Sequence, residues 1–159
     1  MNPTERRAQI ARLAALPERV EGLVAGLTAE QLTTPYDSGE WTIAQNVHHL
    51  CDSHMNSYIR CKLMATEDEP FLKPYDQDRW AEFTDASAFD LTASLVLLRS
   101  LHTRWVIFWE HLPEDAWTRT GRHGSGKVVT LAYQLEAYAQ HGEDHLDQMQ
   151  RVLVAGRLA

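Results

Sequence analysis

The chain has 159 residues, of which 44% are hydrophobic and 23% are charged, and its formal net charge is −7. This size and composition predict one globular domain over residues 1–159, and the acidic balance argues against binding to the phosphate backbone of a nucleic acid. No apolar run is long enough to cross a bilayer, and no apolar signal segment follows Met1, so we expect a cytoplasmic protein without a membrane partner.

The first predicted helix covers residues 4–26. Its apolar side chains recur at steps of three and four residues, the period of an amphipathic helix (Ile10, Leu13, Leu16, Val20, Leu23 and Val24). We expect Pro17 to kink this helix or to divide it, because proline removes an interior hydrogen bond. A further turn at 28–32, with Thr28 as its cap, precedes a loop at 33–40.

The second predicted helix runs from 42 to 65 and begins with a capping box formed by Thr42 and Gln45. One apolar stripe along it contains Ile43, Val47, Leu50, His54, Tyr58 and Cys61. A separate polar line contains His49, Ser53, Asn56 and Arg60. Because the apolar residues Ile59 and Leu63 flank this line, we expect the helix to be buried on more than one side and the polar line to face a cavity.

The two cysteines, Cys51 and Cys61, fall in this same helix. Ten residues of helix separate them by about 15 Å, which is too far for a disulfide. We therefore expect two reduced, buried thiols, which agrees with a cytoplasmic protein.

The remaining elements follow in short succession. Residues 66–87 read as a loop with one short helix around 77–83. The third long helix, 88–112, is rich in leucine and tryptophan, and we expect it to be the most buried. The glycine-rich stretch 117–129 predicts a small hairpin or a long loop, and the last helix covers 130–154. Four long helices with such connections predict an all-α fold, an antiparallel four-helix bundle with a short hairpin or loop before the last helix.

The histidines carry the strongest functional signal. His141 and His145 lie four residues apart on one face of the last helix, a spacing at which two imidazoles can hold one metal ion. They border the apolar stripe, where helical bundles place ligands from facing helices. His48 and His49 point about 100° apart, so only one can reach a shared site. We choose His49, which heads the polar line, as the third ligand; His48 either contacts a ligand or is solvated.

Other histidines and motifs give weaker signals. His54 and His102 lie within apolar stripes, where a histidine is more often a core residue, and we leave both out of the ligand set. His111 ends a helix, and His123 lies in the glycine-rich stretch, where it could lie over a pocket. The sequence has no Glu-x-x-His pair, no His-Glu-x-x-His, no P-loop and no Gly-x-Ser-x-Gly.

Several separate segments resemble the DinB superfamily, and within it the YfiT-like branch. They are residues 41–49 (WTIAQNVHH), 52–60 (DSHMNSYIR), 73–75 (KPY), 101–106 (LHTRWV) and the histidine pair in 141–145 (HGEDH). The resemblance extends from about residue 41 to residue 149, and the first 40 residues match weakly.

The resemblance implies a four-helix bundle that carries one divalent metal on three histidines. It places the first ligand eight residues after Trp41, at His49, and the other two at His141 and His145. Members are often labelled metal-dependent hydrolases, and some are similar to enzymes that transfer bacillithiol or another low-molecular-weight thiol onto electrophiles. Homodimers are common in this branch.

The chemistry of three neutral imidazoles favours two reactions. They leave the 2+ charge of the ion uncompensated, so an open fourth position favours hydroxide or thiolate. The first reaction is hydrolysis by water that the metal activates; the second is transfer of a substrate thiol to an electrophilic carbon. Glu143 and Asp147 point away from the ligands and Asp144 is poorly placed as a general base; Asp52 stays open for that role, although it lies off the line of His49. A thiol activated directly by the metal needs less help, which favours thiol transfer.

Two further expectations concern the ligands of the site. Asn56 and Arg60 are suited to bind a carboxylate or sugar hydroxyls of the thiol. Zinc or nickel is the expected ion, and iron, manganese and copper stay open, because imidazole suits many divalent metals. A non-catalytic, stress-linked metal-binding protein is the alternative of another class, although a structural site normally has four protein ligands and we find three.

Overall fold

The computed structural model describes residues 1–158. Its helices are α1 (Pro3–Val24), α2 (Ala29–Thr33), α3 (Ile43–Thr66), α4 (Gln77–Ala81), α5 (Thr84–Ser87), α6 (Thr92–Glu110), a 3₁₀ helix (Glu114–Thr118) and α7 (Leu131–Ala155). Three short strands are β1 (Phe71–Leu72), β2 (Thr120–His123) and β3 (Val128–Thr130). The predicted all-α fold with a hairpin before the last helix is confirmed.

The four long helices α1, α3, α6 and α7 form the bundle, in which α1 and α3 each pack against both α6 and α7. Two core clusters lie at opposite ends. One contains residues from the later halves of α1 and α7 and the earlier halves of α3 and α6. The other contains residues from the earlier halves of α1 and α7 and the later halves of α3 and α6. It follows that α1 and α7 run in one direction and α3 and α6 in the other. Parallel neighbours α3 and α6 are possible because the segment 67–91 carries the chain back along the bundle.

The first helix is continuous across Pro17, which is buried within it. Of the two predicted effects of Pro17, a kink or a division, the division into two helices is therefore wrong. An unpredicted capping box starts the helix, where the Asn2 side chain accepts from the amides of Thr4 and Glu5 and the Glu5 carboxylate accepts from the Asn2 amide. The predicted cap at Thr28 and the predicted capping box at Thr42 are also present, and Thr28 forms a capping box of its own with Gln31.

Helix α3 is the most buried long helix, and the expectation that α6 would be is wrong. Fourteen residues of α3 are buried against five of α6. The apolar residues Val96, Leu97 and Ile107 of α6 are exposed, because α6 packs mainly on α1 and α3, whereas α3 is also covered by α2, α4 and α5. Ile59 of α3 is also exposed, yet three members of the polar line, His49, Ser53 and Arg60, are buried. The polar line is thus largely buried, as expected, but the reason given for it, burial of the flanking residue Ile59, was wrong.

The predicted hairpin is the antiparallel pair of β2 and β3. A strand that the sequence did not suggest, β1, adds to it in parallel, so that Phe71 lies opposite Arg122. The segment 66–87 also holds two short helices, α4 and α5, where one was expected. The small sheet closes the end of the bundle at which α7 begins.

Helices α1 and α7 approach closely at Gly142, between the two histidines of α7. A Cβ atom built at Gly142 would lie 2.7 Å from Cδ2 of Leu16, which is itself buried. This contact sets how near α1 can lie to the ligand-bearing turn. Glu143 then ties the same turn to α1 through Arg19, at 2.5 Å.

Both cysteines are free and buried, as predicted. Burial raises the pKa of Cys51 and of Cys61 to about 12, so neither thiol ionises near neutral pH. Among the described residues, no helix combines the length and the apolar character that crossing a membrane requires.

Candidate metal centre

Three histidines from two helices converge at one point. His49 comes from α3 and His141 and His145 from α7, whose antiparallel packing brings the early part of α3 beside the later part of α7. The Nε2 atom of His141 lies 3.3 Å from that of His49 and 3.2 Å from that of His145. Within residues 1–158, no carboxylate or thiol joins this group as a fourth candidate ligand.

The spacing of these nitrogens fits a divalent ion. Nitrogens at about 2.0–2.1 Å from one tetrahedral zinc ion lie about 3.3–3.4 Å from each other. His49 is buried whereas His141 and His145 are half-buried, so one side of the group stays open. Three imidazoles with an open side match the ligand count of a catalytic site rather than a structural one.

Asn46 fixes the orientation of His145. Its side-chain NH2 group donates to the backbone carbonyls of Trp41 and Thr42, at 3.3 and 3.0 Å, which leaves its Oδ1 as an acceptor. Nδ1 of His145 lies 2.8 Å from that oxygen and must donate to it. The proton of a neutral His145 is therefore on Nδ1, and Nε2 is free to bind a metal.

Trp41 forms one wall of the group. Its ring meets the ring of His49 edge-on, at 4.6 Å between centroids, and stacks on His145 at 6.1 Å. Trp41 precedes the cap of α3, so the start of that helix supplies both this wall and the carbonyl that orients Asn46. The sequence predicted the three ligand candidates but neither of these supports.

His54 and His102, which were left out of the ligand set, do not join the three nitrogens, but His54 contacts His141 and His102 contacts His54. Nε2 of His54 lies 3.2 Å from Nδ1 of His141, and Nδ1 of His54 lies 2.9 Å from Nε2 of His102. Nδ1 of His102 lies 2.7 Å from the carbonyl oxygen of Leu13. A line of histidines thus runs from the candidate centre across the bundle to α1.

Burial keeps the ligand candidates neutral. Desolvation, followed by the effect of the neighbouring His145, lowers the pKa of His49 and of His141 from 6.5 to about 3. Desolvation likewise lowers the pKa of His145 itself. All three rings are then uncharged at pH 7, which is the form in which imidazole binds a metal ion.

We expect acid to destabilise the metal-free protein through His102, whose pKa burial lowers from 6.5 to about 4. Between these values the unfolded chain binds a proton at this position and the folded chain does not, so stability falls as the pH drops. For one such group the free energy of unfolding changes by about 1.4 kcal/mol per pH unit, or about 3 kcal/mol across the interval. Urea unfolding in the presence of a chelator, from pH 7.5 to 4.5, measures this slope.

The matched comparison is His102→Leu against His111→Gln. His111 is exposed, so its replacement leaves the slope unchanged, whereas His102→Leu flattens it. Equal slopes in wild type and in His102→Leu would show that this ring does not carry the effect.

The carboxylates near the centre are engaged elsewhere. Glu143 pairs with Arg19, and Asp144 accepts from Gln140 at 2.8 Å. Glu40, which sequence reasoning missed, accepts a hydrogen bond from Gln148. None of these carboxylates belongs to the group of converging ligand atoms.

Arg60 lines a cavity of about 270 Å³ between α3, α7 and the hairpin, with His123, Lys127 and Tyr138 among its neighbours. Its guanidinium is held by a hydrogen bond to the carbonyl of Lys73. Tyr138 borders both this cavity and the centre, since its ring lies 5.5 Å from that of His141. The cavity is therefore a positively charged space beside the candidate ligands.

The hydrogen bonds of Asn56 and His48 go to residues outside these groups. The Asn56 amide donates to the carbonyl of Asp52 in its own helix, at 2.9 Å. His48 is buried and lies 2.8 Å from the Ser94 hydroxyl and 2.9 Å from the carbonyl of Ala88. It is therefore neither solvated nor in contact with a ligand, and it joins α3 to α6 and the preceding loop.

Comparison with known proteins gives one consistent result. The model of the DinB superfamily matches residues 12–149. A Geobacillus thermodenitrificans protein named "Putative metal-dependent hydrolase" is 41% identical over 141 residues, which are 88% of this chain and 79% of the relative. A Bacillus cereus protein of the same name is 43% identical over 136 residues, 86% of this chain and 78% of the relative.

A solved structure gives the same result for the fold. YfiT from Bacillus subtilis, described as a probable metal-dependent hydrolase with an unusual four-helix bundle topology, superposes with a TM-score of 0.96 at 35% identity. The superposition covers 100% of this chain and 91% of that one.

Proposed function

We propose that this chain, which belongs to the DinB superfamily, is a metal-dependent enzyme that transfers a low-molecular-weight thiol of the bacillithiol kind onto electrophilic small molecules. The observation that carries the proposal is the convergence of the Nε2 atoms of His49, His141 and His145 on one partly open point. These three histidines would hold the ion, and zinc or nickel suits them best.

A divalent ion held by these histidines would supply the positive charge that favours loss of the thiol proton near neutral pH. The protein does not need a separate strong base for that step, and its nearby carboxylates are already paired. In the transfer, the thiolate sulfur forms a bond to an electrophilic carbon while the bond from that carbon to its leaving group breaks. The leaving group takes the electron pair and, in the end, the proton that the thiol released.

Arg60 supports a thiol that carries a carboxylate. Arg60 is buried and lines a cavity that Tyr138 also lines, and the Tyr138 ring lies 5.5 Å from that of His141; Lys127 adds a second positive charge to the lining. A carboxylate bound at Arg60 would anchor the far end of the thiol while its sulfur reaches the histidines. Asn56 stays a predicted partner for the sugar hydroxyls of such a thiol.

A thiol screen tests the proposal. Zinc-loaded and nickel-loaded protein is offered bacillithiol, glutathione or 2-mercaptoethanol with a generic electrophile, and the loss of free thiol is followed. We expect turnover that is faster with bacillithiol than with 2-mercaptoethanol. Absence of turnover with every thiol, in protein shown to contain one ion per chain, would refute thiol transfer.

We expect Arg60→Met to raise the KM for carboxylate-bearing thiols about 10- to 100-fold, which corresponds to the loss of one charged hydrogen bond of about 1.5–3 kcal/mol. The value of kcat should change little, because Arg60 lies away from the converging nitrogens. Steady-state kinetics with bacillithiol and with 2-mercaptoethanol measure the effect. The matched control is Arg104→Met, since Arg104 is exposed on α6. An equal rise in KM for both thiols would rule out carboxylate recognition.

Hydrolysis is the second candidate, and the names of the relatives favour it. An ion held by the same three histidines would then activate water for attack on an ester or amide. Esters offered without any thiol separate the two reactions, because a hydrolase turns them over and a thiol transferase does not. A non-catalytic metal-binding protein would bind the ion and fail both assays.

We also propose that the protein forms a homodimer. Support comes from the outward apolar side chains of α6, which are Val96, Leu97 and Ile107. Sedimentation at micromolar concentration tests it, and a mass of one chain would contradict it.

A further inference from the structure

A backbone carbonyl fixes the proton position of His102. The carbonyl oxygen of Leu13 can only accept a hydrogen bond, and Nδ1 of His102 lies 2.7 Å from it. The proton of His102 is therefore on Nδ1. The ring is buried, with 2% of its surface exposed, and burial favours its neutral form, which carries one proton only. Nε2 of His102 is thus an acceptor.

The donor and acceptor roles of His54 and His141 follow from that of His102. Nδ1 of His54 must donate to Nε2 of His102 at 2.9 Å, so the Nε2 atom of a neutral His54 is in turn an acceptor. His54 is fully buried. Nδ1 of His141 must then donate to it, at 3.2 Å, and Nε2 of His141 carries a lone pair. Each ring determines the next.

We infer that His54 and His102 are positioning residues that hold His141 in its Nδ1–H tautomer and so direct its Nε2 lone pair at the metal. This inference rests on the proposed metal site. It gives a role to two buried histidines that otherwise only fill the core. It also explains why α1, which holds no ligand, contributes its Leu13 carbonyl to the far end of the line.

The two ligand histidines of α7 are fixed in equivalent ways. Nδ1 of His145 donates to Asn46, whose NH2 group donates to backbone carbonyls at the start of α3. Nδ1 of His141 donates to His54, which donates to His102, which in turn donates to the Leu13 carbonyl of α1. Both Nε2 atoms then present lone pairs to each other at 3.2 Å. Two facing lone pairs repel, and a cation between them removes the repulsion.

The surroundings hold the line of rings in place. The Trp105 ring lies 5.7 Å from His54 and 5.9 Å from His102, near perpendicular to both. Tyr138 packs on the other edge of His54 at 5.3 Å. These aromatic side chains limit rotation of the imidazoles, so that the hydrogen bonds keep their order.

The direct test is the tautomer of His141 in metal-free protein. Nitrogen-15 NMR of the imidazoles distinguishes Nδ1–H from Nε2–H in a neutral ring. We expect wild-type His141 to be Nδ1–H without any metal present. We expect His54→Leu to shift it toward a mixture or toward Nε2–H, because its Nδ1 proton then lacks an acceptor. An Nε2–H or mixed His141 in the wild type would overturn the inference without the use of any variant.

Zinc affinity gives a second readout, measured by competition with a chromophoric chelator. We expect His54→Leu to weaken zinc binding about 10- to 100-fold, the usual effect of losing a partner of a metal-binding histidine. The matched control is His48→Leu, which also removes a buried histidine of α3 but one that does not touch the ligands. His54→Gln should recover most of the affinity, because its amide offers both an acceptor to His141 and a donor to His102.

The outcomes separate this inference from the proposed function. Wild-type protein that binds zinc tightly but shows no turnover refutes the enzyme and leaves the positioning role intact. Equal zinc affinity in His54→Leu and His48→Leu refutes the positioning role and leaves the enzyme intact. If His54→Leu does not fold, His54→Gln and the wild-type tautomer still decide the question.

Discussion

Replacing His145 with alanine is expected to abolish metal-dependent turnover and to weaken zinc binding about 100- to 1000-fold. Four ligands of a zinc site together contribute about 10–16 kcal/mol, so that each contributes about 2.5–4 kcal/mol. With three candidate ligands, the loss of one leaves two, which hold an ion much more weakly. The assays are chelator competition for zinc and thiol or ester turnover at saturating metal.

The control for His145→Ala is His111→Ala, which removes an exposed histidine at the end of α6. It should bind zinc and turn over substrate like the wild type. Circular dichroism should show that both variants keep their helices, because His145 is half-buried at the edge of the core. Turnover that persists unchanged in His145→Ala would remove the metal from the mechanism.

Replacing Trp105 with alanine is expected to destabilise the metal-free protein by about 3–5 kcal/mol, the usual cost of removing a fully buried aromatic side chain. Trp105 has no exposed surface and touches Trp109 and Tyr138 as well as both positioning histidines. For a chain of this length the melting temperature should fall by about 6–20 °C. Thermal and urea unfolding in chelator measure the change.

Trp105→Phe is the conservative variant. It keeps an aromatic ring against His54 and His102, so we expect it to recover more than half of the lost stability. A loss below about 1 kcal/mol for Trp105→Ala would contradict the packing described for this part of the core, since such a value is typical of a surface substitution.

The long helices were predictable because their signals are local. Apolar periodicity and the capping box of Thr42 and Gln45 lie within one turn or a few turns of the chain. Strand β1 was not predictable, because two residues gain strand geometry only from pairing with β2, some fifty positions further along. The burial of α6 was overestimated because composition does not show how many sides of a helix find a neighbour.

In the candidate site, too, the features with local sequence signals were predictable and those that depend on tertiary contacts were not. The spacing of His141 and His145 places them on one face of the helix, and His49 was chosen from its place on the polar line. The roles of His54 and His102 depend on contacts among α1, α3, α6 and α7, so each one alone resembled a core histidine. Asn46 gave a weak signal in the sequence, because it is a polar residue in the first turn of α3, three residues before His49. The structure shows that it is fully buried.

The size of the residue at position 142 affects the candidate metal site although this residue is not itself a ligand. A valine side chain at this position would clash with Leu16, and α1 would have to move outward. Because the same helix carries the Leu13 carbonyl, that movement would loosen the far anchor of His141. A substitution that adds no donor, acceptor or charge would thus disturb the orientation of a candidate metal ligand solely by changing the spacing of two helices.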